Sequence, residues 1–217
     1  MKIESRSYSS KVFRPRPVTN VSSDENTLVI ASSWGDQAIA ERTIEEVIKF
    51  IEAASSDVEV TTPFELYPQL SKDCNDLNVA IQIANEQIFR TENKSEYSVA
   101  LELIAFRRTG SLLSYAQVGM PNIFLQREGY PLQPLSCSVD LRSPPLPKEL
   151  LGINQTVSPR LGSLHIKEND SLYLLSSSVL APEFFTHVGS SGIQELTNVM
   201  ARVFPENPFW IGRVDLG

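Results

Sequence analysis

The periodicity of apolar residues changes from helical to strand-like near Asn93, and this change limits the available folds more than any other feature. Before Asn93, apolar residues recur every three or four positions in two stretches, which is typical of amphipathic helices. After Asn93, apolar and polar residues alternate over short runs separated by turn residues, which indicates strands. A doubly wound parallel sheet needs a helix between successive strands, so we expect an α+β domain instead.

A buried strand and two helices are predicted in the first half of the chain. Residues 28–32 (LVIAS) form a short apolar run typical of a buried strand. One helix is expected to begin at Asp36, and a second runs from Ser71 or Asp73 to Arg90. Their apolar stripes comprise Ala40, Ile44, Val47, Ile48 and Ile51 in the first helix and Leu77, Ile81, Ala84 and Ile88 in the second.

Strands dominate the second half. Short turns alone separate four predicted strands, at 99–106, 111–118, 122–127 and 131–135, and we therefore expect an antiparallel meander. A proline-rich, irregular segment follows at 140–160. Beyond it, the pattern predicts strands at 161–166 and 171–177, a helix capped by the serines of the GSSG sequence at 189–192, and a last strand at 208–214.

Composition and charge exclude several classes of partner and cofactor. The chain has 26 acidic and 19 basic side chains and a net charge of -7, and it has no basic block, so we predict no nucleic-acid partner. Only 2 Cys and 2 His are present, which excludes a zinc cluster and a disulfide framework and favours a reducing compartment. No apolar run is long enough for membrane insertion and no signal sequence is recognisable, so we predict a cytoplasmic protein.

Four segments, taken in order, resemble the metal-dependent serine/threonine phosphatases of the protein phosphatase 2C family. They are LVIASSWGDQAIAERT at 28–43, SYAQVGMPNIFLQREG at 114–129, YLLSSSVL at 173–180, and Glu206-Asn207 before PFWIGRV. The resemblance implies a four-layer α/β/β/α sandwich of two antiparallel sheets flanked by helices. It also implies that residues 1–217 form a single domain, with residues 1–20 as an N-terminal arm or edge strand.

The residues at the family's metal-binding positions differ from those of the family. In the family, aspartates there hold two magnesium or manganese ions, which supply a hydroxide nucleophile for attack on phosphoserine or phosphothreonine. The positions that match them in this chain are Ser32, Ser33, Met120, Ser178 and Glu206. Hydroxyls and a thioether are poor ligands for hard cations, so we predict no metal site and no cofactor. A single weakly held ion at Asp36 and Glu206 is the alternative.

These departures predict a catalytically inactive phosphatase-like domain. We expect it to bind another protein as a scaffold or regulator in a phosphorylation-linked pathway; its partner is unknown, and a homo-oligomer is an alternative. Trp34, in the turn that matches the metal-binding turn, would either fill the vacated site or contact a partner. Two alternative functions stay open: a weakly active metal-dependent phosphatase, and a phosphoresidue-binding module. The module would use Arg14 or Arg16, which stand near the position of the family's phosphate-binding arginine.

Overall fold

The structure is a computed structural model that describes residues 1–56, 64–137, 149–189 and 192–217. The described residues fall into two compact units. The central unit contains the described residues of 17–119 and 148–166, and the terminal unit contains those of 1–16, 120–147 and 167–217. Two expectations concern residues outside the described ones: the start of the irregular segment, up to 148, and the serines at 190–191. The N-cap of the last helix is Gly192 and not one of these serines.

The central unit consists of one sheet and two helices. Its elements are β2 (Val18–Val21), β3 (Thr27–Ser33), α1 (Gln37–Ser56), α2 (Lys72–Gln87) with a π-helical continuation (Ile88–Glu92), β4 (Leu101–Thr109), β5 (Leu112–Val118) and β8 (Arg160–His165). The strands form an antiparallel sheet in the order β2-β3-β4-β5-β8. The apolar stripes of α1 and α2 pack with residues of this sheet in one cluster that includes Val29, Ile44, Ile81 and Leu103.

The terminal unit also combines a sheet with two helices. Its elements are β1 (Lys2–Tyr8), β6 (Asn122–Gln126), β7 (Gln133–Ser136), β9 (Ser171–Ser177), α3 (Pro182–His187), α4 (Ile193–Val203) and β10 (Phe209–Asp215). The strands form an antiparallel sheet in the order β1-β10-β9-β6-β7. Phe124, Phe184, Leu196 and Ile211 lie in its core, where the Phe124 and Phe184 rings are 5.3 Å apart.

Two antiparallel sheets flanked by helices confirm the predicted α+β class. The predicted four-strand meander is wrong, however, because β5 pairs with β8 in one sheet and β6 pairs with β9 in the other. The chain changes sheet between β5 and β6. There Gly119 adopts a φ of +76°, and Pro121 has no N–H to offer a ladder. Local turn signals do not determine which sheet receives the next strand.

The sequence analysis missed the strand β2 and the six-residue helix α3. β1 lies within residues 1–20, for which an N-terminal arm or an edge strand was expected. β1 (KIESRSY) is an edge strand with mostly exposed side chains, so its sequence carries no apolar alternation. Its position depends on backbone pairing with β10, where Lys2 lies opposite Asp215. No described helix has the length and apolar character required to cross a membrane.

A buried ion pair ties two segments of the terminal unit together. The Arg127 guanidinium donates to both carboxylate oxygens of Asp170, at 3.0 Å from Nε and 2.6 Å from Nη2. The Asp170 side chain is 1% exposed, and it also accepts the backbone N–H of Lys167 at 2.8 Å. A buried carboxylate with a bidentate arginine partner becomes strongly destabilising when either partner is removed. The pair therefore anchors the turn before β9 to the end of β6.

Replacing Asp170 by Asn is expected to lower the free energy of unfolding by about 3 kcal/mol at pH 7, because Arg127 then loses its buried counter-charge. Burial raises the pKa of Asp170, but the hydrogen bonds from Arg127 and from the Lys167 N–H outweigh burial and lower it. The stabilisation is therefore complete above the unfolded carboxyl pKa of about 3.9 and disappears as the pH falls through the lower folded-state value. Urea unfolding of the natural chain and of Asp170→Asn, at pH 7 and below pH 4, measures how the difference in their free energies of unfolding depends on pH.

Asp215→Asn is the matched control for this prediction. Asp215 pairs with Arg213 at 3.0 Å, but the two side chains are 58% and 41% exposed. Exposed pairs contribute little, so we expect a change below about 0.5 kcal/mol. Equal effects of the two substitutions at pH 7 would refute the anchoring role of Asp170.

Candidate functional site

The end of β3 carries the first of the positions that match the family's metal ligands. Ser32 and Ser33 are buried, with 4% and 7% of their surface exposed. The Ser33 hydroxyl has no hydrogen-bond partner among the described residues. The ladder with β4 extends one step past the strand, where the Trp34 N–H donates to the Ala100 carbonyl at 2.8 Å. Trp34 itself is half-buried.

Gly35 and Asp36 have structural roles in this turn. A Cβ at Gly35 would lie 2.5 Å from the Ser98 carbonyl oxygen, so no other residue fits without a backbone shift. The exposed Asp36 accepts the Ala38 N–H at 2.9 Å and thereby caps the start of α1. The glycine that this chain shares with the family's turn is thus required by chain packing, and the Asp36 carboxylate is engaged in capping.

A buried carboxylate lies on the strand next to Ser32. Glu102 of β4 is directly opposite Ser32 in the ladder and is 1% exposed. Residues directly opposite in an antiparallel pair project from the same face of the sheet. Gly119 makes room for this side chain, because a Cβ there would lie 2.9 Å from the Glu102 Cγ. The central unit therefore keeps an acidic residue one strand away from the position at which the family has its first aspartate.

The sequence analysis missed Glu102, although a signal for it exists. In the run LELIAF, Glu102 has the spacing that places it on the same strand face as Ile104 and Phe106, which are fully buried. A charged residue on an otherwise apolar strand face is unusual, because an ionised side chain is costly to bury. The acidic residue on an otherwise apolar strand face therefore indicates a candidate functional position.

The terminal unit carries the other matching positions. Met120 precedes β6 and is 9% exposed, while Ser178 follows β9 and is half-buried. The neighbouring Ser177 is 2% exposed and accepts the Val179 N–H through its hydroxyl at 3.2 Å. Glu206 is exposed, and its backbone carbonyl accepts the Ser10 hydroxyl at 2.8 Å.

The structure separates the two arginines that matched the phosphate-binding position. Arg14 is half-buried, and its Nε donates to the Ser176 hydroxyl at 3.1 Å. Arg16 is exposed and donates to the Ser9 hydroxyl at 2.7 Å. Arg14 is therefore held beside the end of β9, two residues from Ser178, whereas Arg16 is a surface residue.

The donors at the matching positions do not fit a pair of hard cations. Magnesium and manganese require several oxygen ligands, mostly carboxylates, but these positions provide hydroxyls, a thioether and one exposed glutamate. In the described parts of the chain, no three His, Cys, Asp or Glu side chains are grouped to hold a metal ion. Of the two carboxylates in the alternative single-ion site, Asp36 accepts the Ala38 N–H, and Glu206 is exposed.

Comparisons with known proteins identify the fold. No protein-family model and no curated protein matches the sequence. The serine/threonine phosphatase PstP/Ppp from Mycobacterium tuberculosis has a TM-score of 0.70 at 17% identity, with 99% of this chain and 98% of that chain covered. The serine/threonine phosphatase of S. agalactiae has a TM-score of 0.71 at 15% identity, with coverages of 100% and 99%.

A third similar structure is that of PppA from Pseudomonas aeruginosa, described as a key regulatory component of T6SS. Its TM-score is 0.68 at 14% identity, and 99% of this chain and 97% of that chain are covered. The chain thus has the fold of the PPM (protein phosphatase 2C-like) serine/threonine phosphatases over nearly its whole length. At these identities, the similarity establishes the fold and leaves the chemistry to be argued from the residues.

Gly35→Ala is expected to lower the free energy of unfolding by about 2 kcal/mol, because the new methyl group would displace the Ser98 carbonyl. Chemical denaturation measures the change. Gly192→Ala is the control, because a Cβ there meets nothing within 4 Å. Only the preference of residue 192 for the helix cap changes, so the free energy of unfolding should fall by less than about 1 kcal/mol. If Gly35→Ala were neutral, the turn would not be held by this close approach.

Proposed function

We propose that this chain is a phosphatase-fold domain that binds another protein and does not hydrolyse phosphoserine or phosphothreonine. The observation that carries the proposal is the chemistry of the residues at the positions matching the family's ligands. Ser32, Ser178 and Met120 provide two hydroxyls and a thioether where the family has carboxylates. The described structure supports the proposal, because the fold is retained while these donors do not fit the metals.

The energetic argument concerns charge. Two divalent cations a few Å apart repel each other strongly, and carboxylate ligands provide the compensating negative charge. A bound metal ion lowers the pKa of its coordinated water, which generates the nucleophile near neutral pH. Without sufficient anionic ligands, the metal-activated hydroxide is not formed, and the phosphatase reaction loses its nucleophile.

Exposed aromatic surface supports the protein-binding part of the proposal. Phe13 is 73% exposed and Val12 is 59% exposed, on the N-terminal segment that Arg14 attaches to β9. Aromatic residues often provide the anchoring contacts of protein interfaces. Trp34, half-buried in the turn after β3, is a further aromatic side chain that a partner can contact.

Manganese titration combined with a turnover assay tests the proposal. We expect no saturable heat of manganese binding and no metal-dependent hydrolysis of a phosphothreonine peptide, because the carboxylate ligands are missing. The triple variant S32D/M120D/S178D restores carboxylates, and we expect it to bind manganese more tightly than the natural chain.

Metal-dependent turnover by the natural chain, abolished by a chelator, would refute the proposal.

A second candidate function is that of a weakly active metal-dependent phosphatase. The buried Glu102 favours it, because it keeps a carboxylate beside Ser32. Loss of any such activity in Glu102→Gln would identify that carboxylate as the one responsible.

The Arg14–Ser176 hydrogen bond favours a third candidate function, phosphoresidue binding without turnover. Guanidinium groups recognise phosphate through charge-assisted hydrogen bonds, and serine hydroxyls can donate to the same oxygens. Arg14 lies beside the serines that end β9, so cationic and hydroxyl donors occur together within the terminal unit.

Peptide binding distinguishes this candidate from plain protein binding. If Arg14 recognises phosphate, a phosphoserine peptide should bind about tenfold more tightly than its unmodified form, and Arg14→Ala should remove that preference. Arg16→Ala is the matched control and should leave the preference intact, because Arg16 is exposed and bonded to Ser9. Equal affinity for both peptides, measured by fluorescence anisotropy, would eliminate the phosphoresidue-binding candidate.

A further inference from the structure

A stripe of amide side chains follows one face of α2, and none of its members is a position that matches the family's metal ligands. Its members are Asn75, Asn78, Gln82 and Asn85, at intervals of three, four and three residues. This spacing places them on one face of the helix. Amides on a packed helix face are uncommon, because each must find hydrogen-bond partners when it is buried.

The outer members of the stripe hold two irregular segments against α2. Asn75 accepts the Tyr67 N–H at 2.8 Å and donates to the Tyr67 carbonyl at 3.0 Å. Asn85 accepts the Gly152 N–H at 2.9 Å and donates to two carbonyls, each at 3.1 Å, in the same segment. Gln82 donates to the Val157 carbonyl at 2.7 Å. These three amides are therefore explained by the fold.

Asn78, in the middle of the stripe, has no such partner. It is 3% exposed, and its side chain makes no hydrogen bond within the described residues. It lines a cavity of about 300 Å³ that lies between the two held segments. An amide that faces the cavity forms its hydrogen bonds with solvent or with a ligand, and asparagine is also a poorer helix former than alanine. The fold alone therefore does not account for asparagine at this position.

The other walls of the cavity are aromatic and acidic. Phe64 and Tyr67 line one side, and the carboxylates of Glu65 and Glu86 are the charged groups among its described lining residues. Glu86 pairs with Arg90 at 2.6 Å, whereas Glu65 takes part in no ion pair within the described residues. Aromatic faces beside carboxylates attract cations, and an amide oxygen accepts further N–H groups.

We propose that this cavity binds the guanidinium side chain of an arginine in a partner protein, which makes Asn78 a binding residue. A guanidinium is planar, stacks on aromatic rings and carries five N–H donors, so it suits an aromatic cavity rich in acceptors better than a compact ammonium does. The inference rests on the proposed function as a protein-binding domain. It adds the location of a contact and the chemical class of residue that occupies it.

Nuclear magnetic resonance titration of the full chain tests the proposal with three probes. Acetyl-Gly-Arg-Gly-amide is expected to shift the Asn78 side-chain amide signals in a saturable manner. The citrulline analogue has nearly the same shape without the charge and should bind about tenfold more weakly. Agmatine carries the guanidinium without a peptide. If agmatine binds tenfold more tightly than the arginine peptide, the occupant is a small molecule and the proposal is wrong.

Variants separate a binding role from a structural one. Asn78→Ala and Glu65→Gln should each weaken binding of the arginine peptide at least fivefold. Glu45 is an exposed carboxylate of α1 outside the cavity, so Glu45→Gln should leave the affinity unchanged. Asn78→Ala should keep or raise the melting temperature, because alanine is the better helix former and no hydrogen bond within the described residues is lost. Unchanged peptide affinity in a folded Asn78→Ala protein would overturn the proposal.

This proposal and the proposed function fail through different measurements. Metal-dependent phosphatase turnover would refute the proposed function, whatever the arginine peptide does. Equal binding of the arginine and citrulline peptides, or signal changes confined to residues away from the cavity, would refute the arginine site and leave the turnover result unaffected.

Discussion

The pairing of β3 with β4 is the constraint on which the central unit depends. All seven residues of β3 are buried, so the strand can exist only where its backbone is paired and both faces are covered. The register places Ser32 opposite Glu102 and continues through the bond from the Trp34 N–H to the Ala100 carbonyl. That bond sets the approach of Gly35 to Ser98, and the turn then ends at Asp36, where α1 begins.

The residues at three of the positions that match the family's aspartates, Ser32, Met120 and Ser178, are neutral. A carboxylate that is buried without a metal ion is poorly solvated, which destabilises the folded state. Under the proposed function, neutral residues at these positions avoid that cost, and Ser32 and Met120 are buried.

Sequence periodicity predicted the elements whose side chains carry a strong apolar pattern. The helices α1, α2 and α4 and the strands β3, β4, β5 and β9 belong to this group, since each has an extensively buried side. Periodicity does not detect β1, because its backbone pairing, and not its side chains, determines its place. The assignment of β6 to the second sheet escaped because it is decided by contacts between segments distant in sequence, which local turn signals do not encode.

The residues of the candidate site also differ in how far the sequence alone reveals them. Matching by position named Ser32, Met120 and Ser178 as candidates, and this assignment stays a prediction. It could not distinguish Arg14 from Arg16, because their difference lies in one tertiary hydrogen bond. Glu102 was detectable as a charge in an apolar strand. The position of Asn78 at a cavity was not detectable, since an isolated helix presents its amides alike and only the packed segments show which of them form hydrogen bonds.

The edge strands have a consequence for self-association. β2 and β7 are four residues long, β7 contains Pro134, and β1 presents the exposed charges of Lys2, Glu4 and Arg6. Short, charged or proline-containing edges resist the addition of a strand from another molecule. Addition of a strand at β1, β2 or β7 is therefore disfavoured. At these three edges, recognition of another molecule depends on the shape and charge of side chains and not on a backbone ladder common to all proteins.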